Sequence, residues 1–284
     1  MAVVPEKLWG DLADDGVAAI DLEAEYNNRA RVPDHGAVMA MWRDTAEAAR
    51  ARHPFETVAY GPGEREAMDL FEAGPAAPVA MFLHGGYWQA LDRSWFSGVA
   101  PALLQHGISV AIPSYDLCPA VSLSRIVGQM RSAADLLRAQ TGKRPMVFGH
   151  SAGGHMAACL LSEGRASAAV AISGVFDLAP LIPTSLNVAL GLEPLGAAAL
   201  SPIHWPAPNG GSPGGTVLDC VVGGAESPEF IRQSRDMATV WAAKGAETRF
   251  EALAGLNHFT VLDPLFDAGS GMVRRVAELA RDDA

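Results

Sequence analysis

Residues 145–161, PMVFGHSAGGHMAACLL, put a short apolar run, a glycine-flanked serine and a helix-forming stretch in immediate succession. A chain that leaves a buried strand, reverses around one residue and starts a helix needs small neighbours at the turn, because larger ones would strike the backbones on either side. Gly149, Gly153 and Gly154 supply them. G-x-S-x-G by itself is weak: at roughly 7% glycine and a similar serine frequency, chance writes it into about a tenth of chains this long. The strand before it and the helix behind it decide the matter, and they predict Ser151 on a strand-to-helix elbow as a nucleophile.

The rest of the chain supplies a sheet for such an elbow to crown. VAMFL (79–83), ISVAI (108–112), PMVF (145–148), SAAVAI (167–172), TVLDCVV (216–222) and TRFEAL (248–253) read as short strands, several separated by helical stretches. That alternation predicts an α/β fold with a mostly parallel, doubly wound sheet. SLSRIVGQMRSAADLLRAQTG carries Ile126, Met130, Ala133 and Leu137 at helical spacing and stops at Gly142. Upstream, FETVAYGPG and EAMDLFEA flank a glycine-proline turn and predict an antiparallel edge. Residues 34–52 predict a helix capped by Asp34, with Val38, Met41, Trp42 and Ala49 on its apolar face.

The 284 residues fit one domain spanning 1–284, with an N-terminal arm at 1–53 and a small cap insertion at about 174–215. Pro180, Pro183, Pro194, Pro202, Pro206, Pro208 and Pro213 exclude a long regular element from the insertion, and PNGGSPGG (208–215) reads as a flexible surface loop.

Composition removes several classes of function. A net charge of −11 disfavours nucleic acid and anionic membrane surfaces. No run approaches the roughly 18 apolar residues of a membrane span, and MAVVPEKLWGDLADD lacks the charged and apolar regions of a secretory signal, so a cytoplasmic location is expected. The three cysteines show neither pairing nor CxxC spacing, and no HExxH accompanies the histidines, so neither a metal nor any other cofactor is expected. Assembly is left open, with a homodimer as one option.

A serine hydroxyl needs a base, and the base needs an acid to fix its tautomer. On a sheet of this order they should follow as serine, acid, histidine. Of eight histidines, His204 lies in the proline-rich insertion, whereas His258 in GLNHFTVLD follows the last predicted strand and is the expected base. Glu226 opens the loop after TVLDCVV and is the expected acid, with Glu229 as the alternative. Asp219 lies inside the strand and Asp236 lies a turn into the next helix, so both should face away. HGGYW (84–88) follows the strand VAMFL, so Gly85 and Gly86, with Ala152 after the nucleophile, are the expected oxyanion donors. A phosphate loop is the competing reading, but neither GK[ST] nor GxGxxG is present. His84 and His150 precede glycine turns and should hold loops by hydrogen bonds.

HGGYW, SYDLCP (114–119) and GHSAGG together resemble the hormone-sensitive-lipase-like branch of the α/β-hydrolase superfamily. Within it, EYNNRARVPDH (25–35), SGVFDLAPL (173–181), TSLN (184–187), ESPEFIRQS (226–234) and NHF (257–259) resemble the kynurenine formamidase (arylformamidase) group over nearly the whole chain. The resemblance implies the same nucleophile, base and oxyanion donors. It departs at Glu226, where the family usually has aspartate; one more methylene asks the loop to retreat by roughly 1.5 Å.

Formamide and ester hydrolysis share one acyl-enzyme mechanism, so two substrate readings stand: an aryl formamide such as N-formylkynurenine, and a small short-chain ester cleaved by a carboxylesterase. A ligand-binding protein on a hydrolase fold is disfavoured by the unbroken set Ser151, Glu226 and His258. Tyr87 and Trp88 are expected either to close the acyl side of a formamidase or to pack beneath the oxyanion loop. Tyr26, Asn27, Asn28 and Arg29, with Tyr115 and Phe176, are the candidates for the leaving-group side; simple packing of the arm is the alternative.

Overall fold

The computed structural model describes residues 20–208 and 216–282. All but Pro208 of the glycine-rich stretch 208–215 lies outside the described residues, as do residues 1–19 of the arm. Eight strands form one sheet: β1 (Glu56–Ala59), β2 (Ala67–Phe71), β3 (Val79–Leu83), β4 (Ser109–Pro113), β5 (Met146–His150), β6 (Ala169–Ile172), β7 (Val217–Gly223) and β8 (Glu247–Leu253). Their order is β1-β2-β4-β3-β5-β6-β7-β8. β2 runs antiparallel to both of its neighbours, and every pair from β4 to β8 is parallel. The winding reverses between β3 and β5, and the crevice beyond the carboxyl ends of strands at such a reversal is where open α/β sheets bind ligands.

Both faces of the sheet are covered, which is why its inner strands are largely apolar rather than alternating. Met81, Leu83 and Val147 point into one core layer, while Ala80, Phe82, Met146 and Phe148 point into the other. The described helices are α1 (Leu22–Tyr26), α2 (Asn28–Arg31), α3 (His35–Arg52), α4 (Ala100–Gln105), α5 (Leu123–Thr141), α6 (Ala152–Ser162), α7 (Asn187–Leu190), α8 (Pro194–Ala199), α9 (Pro228–Ala243) and α10 (Gly271–Arg281). α5, α6 and α9 cover the first face; α3, α4 and α10 cover the second. α5 begins where the Ser122 hydroxyl accepts from the Arg125 N–H and ends at Gly142 in the left-handed conformation. None of the described helices is long and apolar enough to cross a membrane.

Two details of α3 differ from the sequence expectation. Asp34 stands at the N-cap position, but its side chain makes no cap bond. Met41 faces outward, because 100° per residue carries it off the stripe of Trp42, Ala46 and Ala49 that is buried. Trp42 packs against Phe96 and Phe259, with ring centroids 5.6 and 5.9 Å away, and so ties the arm to the loops beyond β3 and β8.

The segment 174–208 is made of turns and short helices, as its prolines require. It is stitched down through its carbonyls: His155 Nε2 meets Leu200 O at 2.7 Å, and Trp241 Nε1 donates to Pro202 O at 3.1 Å. Lys244 Nζ donates to Ile203 O and Trp205 O.

A buried carboxylate pins the second face. Asp69 on β2 is wholly buried and accepts from Arg50 Nη1 on α3, Arg93 Nε at 3.0 Å and Thr57 Oγ1 at 2.7 Å. Burying an unpaired carboxylate would cost several kcal/mol, and these donors offset that cost. Because Arg93 follows the loop after β3, the network also fixes where that loop lies. Asp69→Asn should lower the unfolding free energy by roughly 3 kcal/mol, read as a fall in the urea midpoint without change in slope; a loss below about 0.5 kcal/mol would contradict the network's role.

Candidate active site

β5 ends at His150, and the chain turns on Ser151, whose φ of 56° and ψ of −115° lie outside the regions ordinary residues favour. Such a conformation costs about 1–3 kcal/mol. It is held by the Ser151 N–H donating to Ile172 O at 2.8 Å and by the start of α6, where His155 N–H donates to Ser151 O. The packing that makes the turn needs glycine: a Cβ on Gly153 would lie 1.9 Å from Leu83 O. β3, β5 and α6 therefore meet backbone to backbone beneath the serine. The amino end of α6 faces the site, with the Ala152 N–H at its first position.

Across the crevice, the loop after β3 carries His84, Gly85 and Gly86. A Cβ on Gly85 would stand 3.2 Å from that of Ser151, so its backbone runs directly beside the serine. Gly86 has φ +110°, and Ala90 O lies 2.4 Å from where its Cβ would be, so only glycine fits. Among the described residues, no backbone carbonyl accepts from the Gly85 or Gly86 N–H. His84 is stacked between Tyr115 and Phe96, at 4.2 and 5.7 Å, with its Nδ1 on Gly85 O at 2.8 Å. It braces this loop from within.

His258 follows β8, and Glu226 lies in the turn between β7 and α9. Glu226 Oε2 is 2.6 Å from His258 Nδ1, with the carboxylate fully buried. A carboxylate can only accept, so Nδ1 carries the proton and Nε2 is left basic. The other oxygen, Oε1, accepts from Ser173 Oγ and from the Gly223 N–H at 2.7 Å, while the Glu226 N–H donates to Gly223 O. The side chain folds back onto its own turn, and this uses up the methylene by which glutamate exceeds aspartate. The His258 ring is flanked by Phe230 and His150, at 4.4 and 4.7 Å, and His150 Nε2 donates to the His258 carbonyl. Glu229, the alternative acid, is engaged elsewhere: it pairs with Arg232 and accepts from Tyr26 Oη at 2.8 Å. Those partners hold its carboxyl below the usual range. Asp219 pairs with Arg275 at 2.8 Å.

Ser151, Gly85, Gly86 and His258 line one cavity of about 360 Å³. The arm and the segment after β6 close it, through Tyr26, Asn28, Arg29 and Glu23 on one side and Thr184, Ser185 and Leu186 on the other. Tyr87 Oη donates to Tyr26 O at 2.8 Å and accepts from Asn28 Nδ2, joining the arm to the loop after β3. Tyr26 Oη also accepts from Gln233 Nε2 at 2.7 Å. Tyr26, Asn28 and Tyr87 thus reach the cavity wall.

Tyr115 and Phe176, candidates for the leaving-group side, do not, and Trp88 takes the second of its two expected places, beneath the loop. All three are fully buried in the core layer beneath the loop. The Trp88 ring lies 6.5 Å from that of Tyr87, yet Tyr87 lines the cavity while Trp88 sits edge-on against His155 at 5.1 Å. The Tyr115 ring lies on His84 and its hydroxyl donates to His84 O. Phe176 fills the space beside Gly174 while its N–H donates to Gln233. Sequence reasoning in turn missed Glu23, Ser185 and Gln89. Glu23 accepts from the Ser185 N–H and Oγ, each at 2.7 Å, and Gln89 Nε2 donates to Leu186 O. The motif TSLN contained the signal, without any indication of what it faces.

The chain matches the family described as the α/β-hydrolase fold over residues 80–190. It is 30% identical to a kynurenine formamidase of Drosophila melanogaster over 223 residues, 72% of this chain and 74% of the relative. With the kynurenine formamidase of Danio rerio it shares 26% identity, covering 91% of this chain and 94% of that one. A crystal structure from a Silicibacter species, provisionally assigned as a thioesterase, superposes with a TM-score of 0.81 at 30% identity, over 91% of this chain and 99% of that one.

The histidines that brace the site carry a pH dependence. Burial lowers His84 and His155 to about 4 and pushes His150 well below the usual range; carbonyl hydrogen bonds pull the other way and are outweighed. In the unfolded chain the same imidazoles take up protons near 6.5, so below that pH the unfolded state binds more protons than the native one. Stability should be full above about pH 7 and fall steadily as pH drops toward about 4. Urea midpoints measured between about pH 7.5 and about pH 5 should decline; a flat profile would contradict neutral, buried histidines.

Proposed function

This chain belongs to the α/β-hydrolase superfamily, in the hormone-sensitive-lipase-like branch and among relatives of kynurenine formamidases, and from that premise we propose that it is a serine hydrolase cleaving a small aryl formamide. The observation that carries the reading is the buried 2.6 Å contact of Glu226 with His258, facing a cavity that also holds Ser151 and Gly85.

In the proposed reaction Ser151 Oγ attacks the formyl carbon while His258 Nε2 takes the hydroxyl proton. The imidazolium so formed shares its Nδ1 proton with Glu226, whose burial and further donors keep it in place. Charge builds on the former carbonyl oxygen, where the N–H groups of Gly85, Gly86 and Ala152 stand ready as donors that need not reorient. His258 then returns the proton to the amine nitrogen, the C–N bond breaks and a formyl-serine remains. Water, deprotonated by His258, attacks this ester, and collapse releases formate and restores Ser151. The side chains and backbone named supply each step, and the expected partner is one small molecule.

Two features support a small acyl group and an aromatic leaving group. The backbone of Gly85 lies against Ser151 and Tyr87 is locked by Tyr26 and Asn28, so the acyl side is tight. A cavity of about 360 Å³ is at the low end for small-molecule sites and suits a substrate of one aromatic ring with a short tail.

The test compares N-formylkynurenine with p-nitrophenyl acetate and butyrate, using Ser151→Ala as control. The formamide should be turned over, with kcat/KM falling by at least ~10⁴-fold in Ser151→Ala and ~10³- to 10⁴-fold in Glu226→Ala. Ester turnover with formamide turnover no faster than the control would replace the formamide by a short-chain ester as substrate. Activity surviving in Ser151→Ala would overturn the mechanism itself.

A further inference from the structure

The mouth of the cavity is charged unevenly. Among its described lining residues, Glu23 is the one carboxylate and Arg29 the one lysine or arginine. Glu23 is occupied, accepting two hydrogen bonds from Ser185. Arg29, on the last turn of α2, is exposed, and among the described residues nothing hydrogen-bonds to it or pairs with it. Its neighbours show that acceptors exist nearby. Arg31, on the same short helix, spends its guanidinium on Glu25 and Ala24 O, and Arg232 of α9 is paired with both Glu229 and Asp236. The helix carrying Arg29 is held at the cavity by Asn28, whose amide reaches Tyr87 Oη. A guanidinium without a partner among the described residues is thus presented at the site of a chain whose net charge is −11.

We propose that Arg29 determines specificity by receiving an anionic group, a carboxylate, on the leaving side of the substrate. The acyl side is taken up by Ser151, Gly85 and Gly86, whereas Arg29 enters from the arm, so the group it meets belongs to the departing amine or alcohol. Guanidinium suits this task because its planar fork matches a carboxylate with two parallel hydrogen bonds. The inference deepens the formamidase reading and rests on it for the choice of substrate, though the charge preference itself would hold for esters.

The experiment uses two matched pairs: N-formylkynurenine with its carboxamide, and 3-(4-acetoxyphenyl)propanoate with its carboxamide. Each pair differs only in whether the tail is anionic. The wild-type protein should favour the acid by roughly fivefold in kcat/KM, chiefly through KM, and the preference should shrink as salt is raised. In Arg29→Gln the acid-to-amide ratio should fall to about one, and in Arg29→Lys most of it should return. A ratio near one in the wild type, or a ratio unchanged in Arg29→Gln, overturns the proposal. A preference seen in the acetate pair with neither formamide cleaved supports Arg29 and removes the formamide reading, so the two can fail separately.

Discussion

The site depends on one close approach. Where β3, β5 and α6 converge, the Gly153 backbone lies against Leu83 O so tightly that no side chain could stand between them. That contact forces the chain at Ser151 into its unfavourable conformation, and the same contact brings Gly85 against the serine. Ser151, the loop of Gly85 and Gly86 and the amino end of α6 are consequently packed as one unit. The local cost of about 1–3 kcal/mol is carried by strands buried on both faces.

The second half of the site is electrostatic and centres on the start of α9. ESPEF presents two carboxylates a turn apart, and the fold uses them differently. Glu226 folds back on its own turn and meets His258; Glu229 looks toward the arm, where it holds Tyr26 with the help of Arg232. The element that orients the imidazole therefore also anchors the wall of the cavity. Phe230 between them touches both Tyr26 and His258.

Much of this was legible in the residues. The runs of apolar residues marked β3 to β7, because strands covered on both faces are largely apolar, whereas the edge strand β8 alternates with Glu247, Arg249 and Glu251. That Glu226 and His258 should meet was legible from order along the chain, and the structure brings the two into contact. The aromatic residues were not legible. Tyr87 and Trp88 are neighbours of similar chemistry, yet one lines the cavity and the other is core, and no local preference of either residue says which ring goes where. Tyr115 and Phe176 read as substrate contacts because they flank the right loops, but rings of that size are drawn under the loops to fill the core.

The sequence alone determined the order and chemistry of the elements: where the elbow falls, which loops leave the carboxyl ends of strands, and which groups those loops carry. These follow from local rules of periodicity, turn sterics and chain order. Only the tertiary structure decided what the arm and the segment after β6 do, and that Arg31 is paired while Arg29 finds no partner among the described residues. The physical reason is distance along the chain. Glu23 meets Ser185 and Tyr26 meets Glu229 across more than 160 residues, and no local preference encodes which distant partner a side chain will find.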